Sequence, residues 1–126
     1  MSDFLDVVCI VDDDAAVRNA LKFALETDGL KVRTFDGAVS FLNERHHPPF
    51  GCLVIDYRMP VMDGLELTAA LRERGVTVPT IMITGRSNKE LAARAAKLGI
   101  HSVMEKPLAD RDLAETIKSA LSDRVH

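Results

Sequence analysis

Four aspartates offer the clearest chemistry in this sequence. Asp12, Asp13 and Asp14 stand in a row directly after the apolar run Val7-Val8-Cys9-Ile10-Val11. Asp56 closes a second apolar run, Cys52-Leu53-Val54-Ile55. Adjacent carboxylates repel, so a cluster of them beyond a buried strand needs a neutralising partner. A divalent cation fits, because it takes several oxygen ligands. A metal held there would also draw a phosphoryl group to the site. Two further strand ends matter: Thr84 followed by Gly85, and Glu105-Lys106-Pro107. If these runs are parallel, a hydroxyl, an ammonium and the carboxylates meet at one rim.

The elements that must position them alternate along the chain. Strands are expected at Val7 to Val11, Lys31 to Phe35, Cys52 to Ile55, Thr80 to Ile83 and His101 to Met104. Helices are expected at Ala15 to Thr27, Gly37 to Glu44, Gly64 to Arg74, Asn88 to Leu98 and Asp110 to Asp123. Helical periodicity sets these segments, and Gly29, Gly75 and Gly99 act as stops. His46-His47-Pro48-Pro49 reads as a loop. Strand-then-helix repeats argue for an α/β fold with a parallel sheet covered on both faces. The first, third and fourth strands are continuous apolar runs and should be central. The second mixes Lys31, Arg33 and Thr34 with Val32 and Phe35, and the fifth is short, so both should lie at edges. The doubly wound order 2-1-3-4-5, of the flavodoxin-like kind, satisfies this and puts a ligand crevice between strands one and three. Both aspartate groups end those strands.

Composition bounds the answer. The chain has 126 residues, 47% hydrophobic and 28% charged, which is a globular composition of single-domain size. No apolar run approaches the roughly 20 residues that span a bilayer, and the start lacks signal-peptide character. A cytoplasmic setting and one domain over residues 1–126 are therefore expected. The net charge of −3 gives no general attraction to nucleic acid or to an anionic membrane. Cys9 and Cys52 sit inside apolar runs and read as inert buried thiols. His46, His47, His101 and His126 have no metal spacing.

Val11-Asp12-Asp13-Asp14, the run Asp56-Tyr57-Arg58-Met59-Pro60-Val61-Met62-Asp63-Gly64, Ile83-Thr84-Gly85 and Glu105-Lys106-Pro107 resemble the receiver domain of two-component response regulators. Asp56 to Gly64 and Ile83 to Gly85 are similar to the FixJ-like group of transcriptional regulators. The resemblance spans essentially the whole chain. It implies that Asp56 accepts a phosphoryl group from a sensor histidine kinase or phosphotransfer protein. Asp13, Asp56 and the main-chain carbonyl of Arg58 would bind Mg²⁺, with Asp12 acting through a water. Lys106 would pair with Asp56 at rest and with the phosphoryl group afterwards, and Thr84 would donate its hydroxyl to a phosphoryl oxygen. It also implies a cis Lys106–Pro107 bond, a switching surface formed by the fourth helix, the fifth strand and the fifth helix, and a phosphorylation-dependent homodimer. A DNA-binding output domain would belong to a longer parent protein, with no nucleic-acid contact by this domain. Self-phosphorylation and slow loss of the group would replace enzymatic turnover. Ala15, Ala16, Asn19 and Leu108 flank the site and would admit the kinase's helix.

One position departs from the pattern. The residue three before the lysine is usually Tyr or Phe, and here it is Val103, which has no ring to swing and few rotamers. A different reporter, a shallower switch or a rearranged loop would each account for it. The loop is favoured, with Arg86 and Met104 as the neighbours to watch.

Plainer readings exist residue by residue. Asp12 to Asp14 can serve as helix caps, and Asp14 is expected to do so in any case. Asp56 can be a turn residue, Thr84 a strand residue and Lys106 a solvated lysine beside a helix-start proline. Lys89, Arg94 and Lys97 against Glu90 read as a solvated face or an interaction face. Separately these readings suffice, but they do not predict so many polar groups at one rim. An aspartate-nucleophile, Mg²⁺-dependent phosphatase would share the Asp, Thr, Lys and metal. Its Asp-x-Asp pattern is missing, because Arg58 stands where the second carboxylate belongs. A flavin module would need a phosphate loop that Asp12 to Asp14 would repel, and a degenerate scaffold would lack some of the site residues.

Overall fold

The computed structural model describes residues 7–44, 50–109 and 111–125, and side chains through residue 122. The elements run β1 (Val7–Val11), α1 (Ala15–Thr27), β2 (Lys31–Phe35), α2 (Ala38–Asn43), β3 (Cys52–Asp56), α3 (Gly64–Glu73), β4 (Thr80–Thr84), α4 (Lys89–Lys97), β5 (Ser102–Glu105) and α5 (Asp112–Val125). All paired strands are parallel, in the order β2-β1-β3-β4-β5. The expected order and edge assignments hold. Lys31 and Arg33 of β2 are exposed, whereas every residue of β3 and β4 is buried.

Side-chain alternation splits the core into two layers. On one face Val8, Ile10, Cys52, Val54, Ile81 and Ile83 pack against Leu25 of α1 and Leu113 and Ile117 of α5. On the other, Cys9, Val11, Leu53 and Ile55 meet Phe41 of α2 and Leu67 and Leu71 of α3. Met82 continues that face under Leu91 and Ala95 of α4. The two thiols are thus buried on opposite faces of the sheet, and burial pushes the Cys9 thiol up to about 12. It stays protonated and unreactive.

Two boundaries differ from the apolar pattern in a way that matters for the site. The third and fourth strands each run one residue further, to Asp56 and Thr84, because the ladder continues: Asp56 stands opposite Ile83, and Thr84 opposite Glu105. Backbone pairing does not depend on side-chain polarity, so the sheet itself carries both polar residues. The fifth strand is shifted by one, to Ser102–Glu105. Its approach is taken up by the end of α4, where Gly99 adopts φ +73°, its N–H bonds to Ala96 O, and Ile100 N–H reaches Ala95 O. This is the Schellman closure, which needs a left-handed residue at that point. The second helix starts at Ala38 and ends at Asn43. The expected loop at His46 to Pro49, the expected helix start at Asp110, and His126 lie outside the described residues.

Arg72 locks the far end of α4. Its guanidinium donates to Leu98 O (2.9 Å), Val76 O (3.0 Å) and Gly99 O (3.5 Å). These carbonyls come from the end of α4 and the turn after α3, so one side chain ties both to the base of the sheet.

Candidate functional site

The rim at the ends of β1, β3, β4 and β5 gathers the polar residues. Asp12 follows β1 and is buried, with every main-chain polar atom engaged. Its N–H donates to Phe35 O (3.1 Å), and its carbonyl accepts from Arg18 Nη1 (2.8 Å). Its Oδ1 accepts from Asp14 N–H (2.8 Å). Asp14 turns the chain into α1, capping it by accepting from the N–H groups of Ala16 and Val17. Asp13, between them, is exposed. Asp56 closes β3 next door, and oxygens of Asp12, Asp13 and Asp56 all lie within 4.8 Å of one another.

Lys106 faces this cluster, with Nζ 3.2 Å from Asp56 Oδ1. Its own N–H is bonded to Thr84 O (2.8 Å), which fixes the start of its side chain beside β4. The Lys106–Pro107 peptide is cis, as the resemblance implies. Thr84 is buried, and its hydroxyl is already committed. It donates to Arg86 O (3.1 Å) and accepts from Arg86 N–H (3.3 Å). Arg58 stands in the loop after β3 with Tyr57, Met59, Pro60 and Asp63, around a cleft of about 350 Å³.

The electrostatics are unfavourable for carboxylates left to themselves. Burial, then the charge of Asp12, push the Asp56 carboxyl above its ordinary range, and Lys106 only partly opposes this. Burial also raises Asp12, against the Asp14 N–H and Lys106. One ammonium thus faces three carboxylates. An all-oxygen donor set of this charge suits a hard divalent cation, so the residues fit such an ion.

The family model for the response regulator receiver domain matches residues 8–118. The chain belongs to that family. The receiver is 40% identical over 121 residues to the response regulator protein TmoT of Ectopseudomonas mendocina, covering 96% of this chain and 55% of that protein. It is 40% identical over 114 residues to the transcriptional regulatory protein FixJ of Bradyrhizobium diazoefficiens, covering 90% and 56%. The crystal structure of FixJ-N superposes with a TM-score of 0.85 at 37% identity, covering 97% of this receiver and 96% of that chain. The receiver therefore spans about half the length of the curated relatives it matches.

Sequence reasoning missed several features of this receiver. Arg18 holds the carbonyl of Asp12 from the end of the first turn of α1, a contact that only the fold creates. Asp63 and Glu66 form a reciprocal capping box at the start of α3, and here the Asp-x-x-Glu spacing is a signal that could have found it. Of the two neighbours nominated beside Val103, Arg86 is indeed the partner of Thr84. Met104 instead packs on the α1/α5 face with Ile81 and Ile83, away from α4. Strand alternation places it there: Val103 and Met104 must point to opposite faces. Ala15, Ala16 and Asn19 are exposed on α1, and Leu108 lines a groove of about 590 Å³ between α1 and α5.

Val61 is the strained residue of the loop after β3. It has φ +72° and is 89% exposed, so a β-branched side chain occupies the left-handed region with almost no packing in return. Val61→Gly should stabilise the receiver by about 1 kcal/mol, the relief of strain exceeding the added entropy of the unfolded chain. Urea unfolding measures this. A fall in stability would mean that the valine side chain itself shapes the loop.

Proposed function

We propose that Asp56 is the phosphoacceptor of this receiver and that residues 1–126 act as one switch domain. An oxygen of Asp56 attacks the phosphorus of a phosphohistidine on a sensor kinase or phosphotransfer protein, or of a small acyl phosphate. The bond from phosphorus to the donor breaks, the donor group leaves with its electron pair, and an aspartyl phosphate remains. Asp13, Asp56 and the main-chain carbonyl of Arg58 would hold Mg²⁺, with Asp12 supporting it through a water. When bound, the ion would neutralise the carboxylates and the charge of the transferring group. Lys106, already paired with Asp56, turns its ammonium to a phosphoryl oxygen. Thr84 gives its hydroxyl hydrogen to another and so releases the carbonyl of Arg86. Arg18 keeps Asp12 in register throughout, because it grips the backbone and not the carboxylate.

The observation that carries this reading is the convergence of three carboxylates within 4.8 Å, beside the Lys106–Asp56 pair. The phosphatase reading has no second carboxylate after Asp56 to protonate a leaving group. Phosphoryl transfer to and slow loss from Asp56 is thus a switch and not turnover. FixJ, a transcriptional regulatory protein by name, is matched over only 56% of its length, which supports a longer parent protein with a DNA-binding output domain; a phosphorylation-dependent homodimer is part of the same proposal. No helix among the described residues is long and apolar enough to cross a membrane, which fits a cytoplasmic setting.

Intact-mass spectrometry after incubation with acetyl phosphate and Mg²⁺ tests the proposal. A single phosphoryl gain, mapped to Asp56 and lost when the cation is chelated, is expected. No gain, or a gain mapped to another side chain, would overturn it.

A further inference from the structure

We propose that Tyr57 is the side chain through which α4 reads the phosphorylation of Asp56. This rests on the reading of Asp56 as phosphoacceptor and adds the route by which its state leaves the site. Tyr57 directly follows Asp56, and its ring packs against Leu65, Met82, Leu91, Ala95 and Ile100, the cluster beneath α4. Val103 packs against that same cluster and supplies only a short branched side chain. The aromatic surface missing from β5 is therefore provided from the loop after β3, on the same side of the sheet.

The backbone of Tyr57 cannot travel far. Its N–H donates to Ile83 O and its carbonyl accepts from Gly64 N–H, both at 2.8 Å. What can change is the orientation of the ring. Beside it lies a cleft of about 190 Å³, bordered by Arg58, Arg86, Asn88, Leu91 and Arg94. The guanidinium of Arg58 sits 5.9 Å from the ring centroid, so the exposed face of the ring meets a cation.

The two ends of α4 are held differently. Arg72 clamps the C-terminal end through Leu98 and Gly99. The N-terminal end is capped by Asn88, which accepts from Leu91 N–H (2.8 Å), and hangs from the loop that Thr84 holds through Arg86. Once Thr84 gives its hydroxyl hydrogen to a phosphoryl oxygen, its bond to the Arg86 carbonyl is lost and only the one accepted from Arg86 N–H remains, so that hold is halved. The end of α4 that can move is then the end whose Leu91 borders the cleft beside Tyr57. Because the interior is close-packed, a shift of Leu91 and a turn of the ring require each other.

The test uses the fact that the chain has one tyrosine and no tryptophan. Tyrosine fluorescence and ring-proton NMR of the native chain therefore report this side chain alone. On phosphorylation with acetyl phosphate and Mg²⁺, the fluorescence should shift and the contacts between the ring protons and the Leu91 methyls should change. Neither change should occur in Asp56→Asn under the same conditions. Tyr57→Leu should still gain a phosphoryl group by mass but lose the phosphorylation-dependent amide shifts of α4. Tyr57→Phe should keep them. Unchanged ring contacts in phosphorylated native protein would overturn the proposal, as would native-like α4 shifts in Tyr57→Leu. Should Tyr57→Leu fail to fold, the native ring contacts decide alone. No phosphoryl gain by the native chain would instead overturn the phosphoacceptor reading itself.

Discussion

Asp56→Asn is expected to abolish phosphoryl uptake and, in the same molecule, to raise thermal stability. The loss follows from chemistry: an amide oxygen carries no charge and is a poor nucleophile, and in the proposed site Asp12 and Asp13 serve the cation instead. The gain follows from electrostatics. Asp56 and Asp12 are both buried, and each carboxyl is held above its ordinary range, so ionising them costs the folded state more than the unfolded one. A group with a raised folded pKa contributes most below its unfolded value, 3.8 here, and that contribution is lost as pH rises through the folded value. Without divalent cation the native chain should therefore lose stability as pH rises from the ordinary carboxylate range upward, and Asp56→Asn should lose less. The cost of leaving Lys106 unpaired is small, since its side chain is 37% exposed and water takes over. At neutral pH the net gain should be about 0.5–2 kcal/mol, the usual range for a single stabilising change at a functional site. Thermal melts of both chains across pH, with the cation chelated, measure it. A variant that melts lower than the native chain at neutral pH would show that the Lys106–Asp56 pair outweighs the repulsion.

The sequence was informative wherever one physical rule governed a whole segment. Three strands are recognisable as continuous apolar runs followed by a helical period, and their burial sets the order: a strand such as Cys52–Asp56 cannot sit at an edge. From that order, β1 and β3 are neighbours, and Asp12, Asp13 and Asp56 share a rim before any distance is known. What periodicity cannot deliver is contact across elements. Arg18 reaching the Asp12 carbonyl, Arg72 gripping the end of α4 and Tyr57 seated under Leu91 each depend on how two elements pack. None leaves a mark in spacing. The apolar pattern stops one residue short of the strand ends at Asp56 and Thr84 for a related reason. Hydrophobicity marks where burial stops, while the backbone ladder runs on into the polar residues that the site uses. Met104 shows the cost of reading neighbours along the chain: adjacent in sequence to Val103, it belongs to the other layer of the core.

Gly64→Ala should damage both stability and phosphoryl uptake, although Gly64 carries no functional group. A Cβ at this position would stand 2.9 Å from the carbonyl oxygen of Asp56, 3.1 Å from Tyr57 Cα and 3.1 Å from Ile55 Cγ2. Two of these three atoms are backbone, so no rotamer change relieves the clash, and the third belongs to a fully buried side chain. The start of α3 must move away from β3. Doing so stretches the bond from Gly64 N–H to Tyr57 O, now 2.8 Å, and disturbs the capping box of Asp63 and Glu66 that spans it. Overpacking of this kind costs about 1–3 kcal/mol. The more telling effect is on the site, because the displaced atoms include the backbone of Asp56, the proposed phosphoacceptor. A shift approaching 1 Å at a reacting group can cost about 100-fold, so even partial relaxation should slow phosphoryl uptake from acetyl phosphate by roughly tenfold or more. Urea unfolding and a mass-spectrometric time course separate the two effects. If Gly64→Ala took up phosphate at the native rate while losing stability, the contact would serve only to seat α3. A parallel loss of both ties the position of Asp56 to the close approach that only glycine permits.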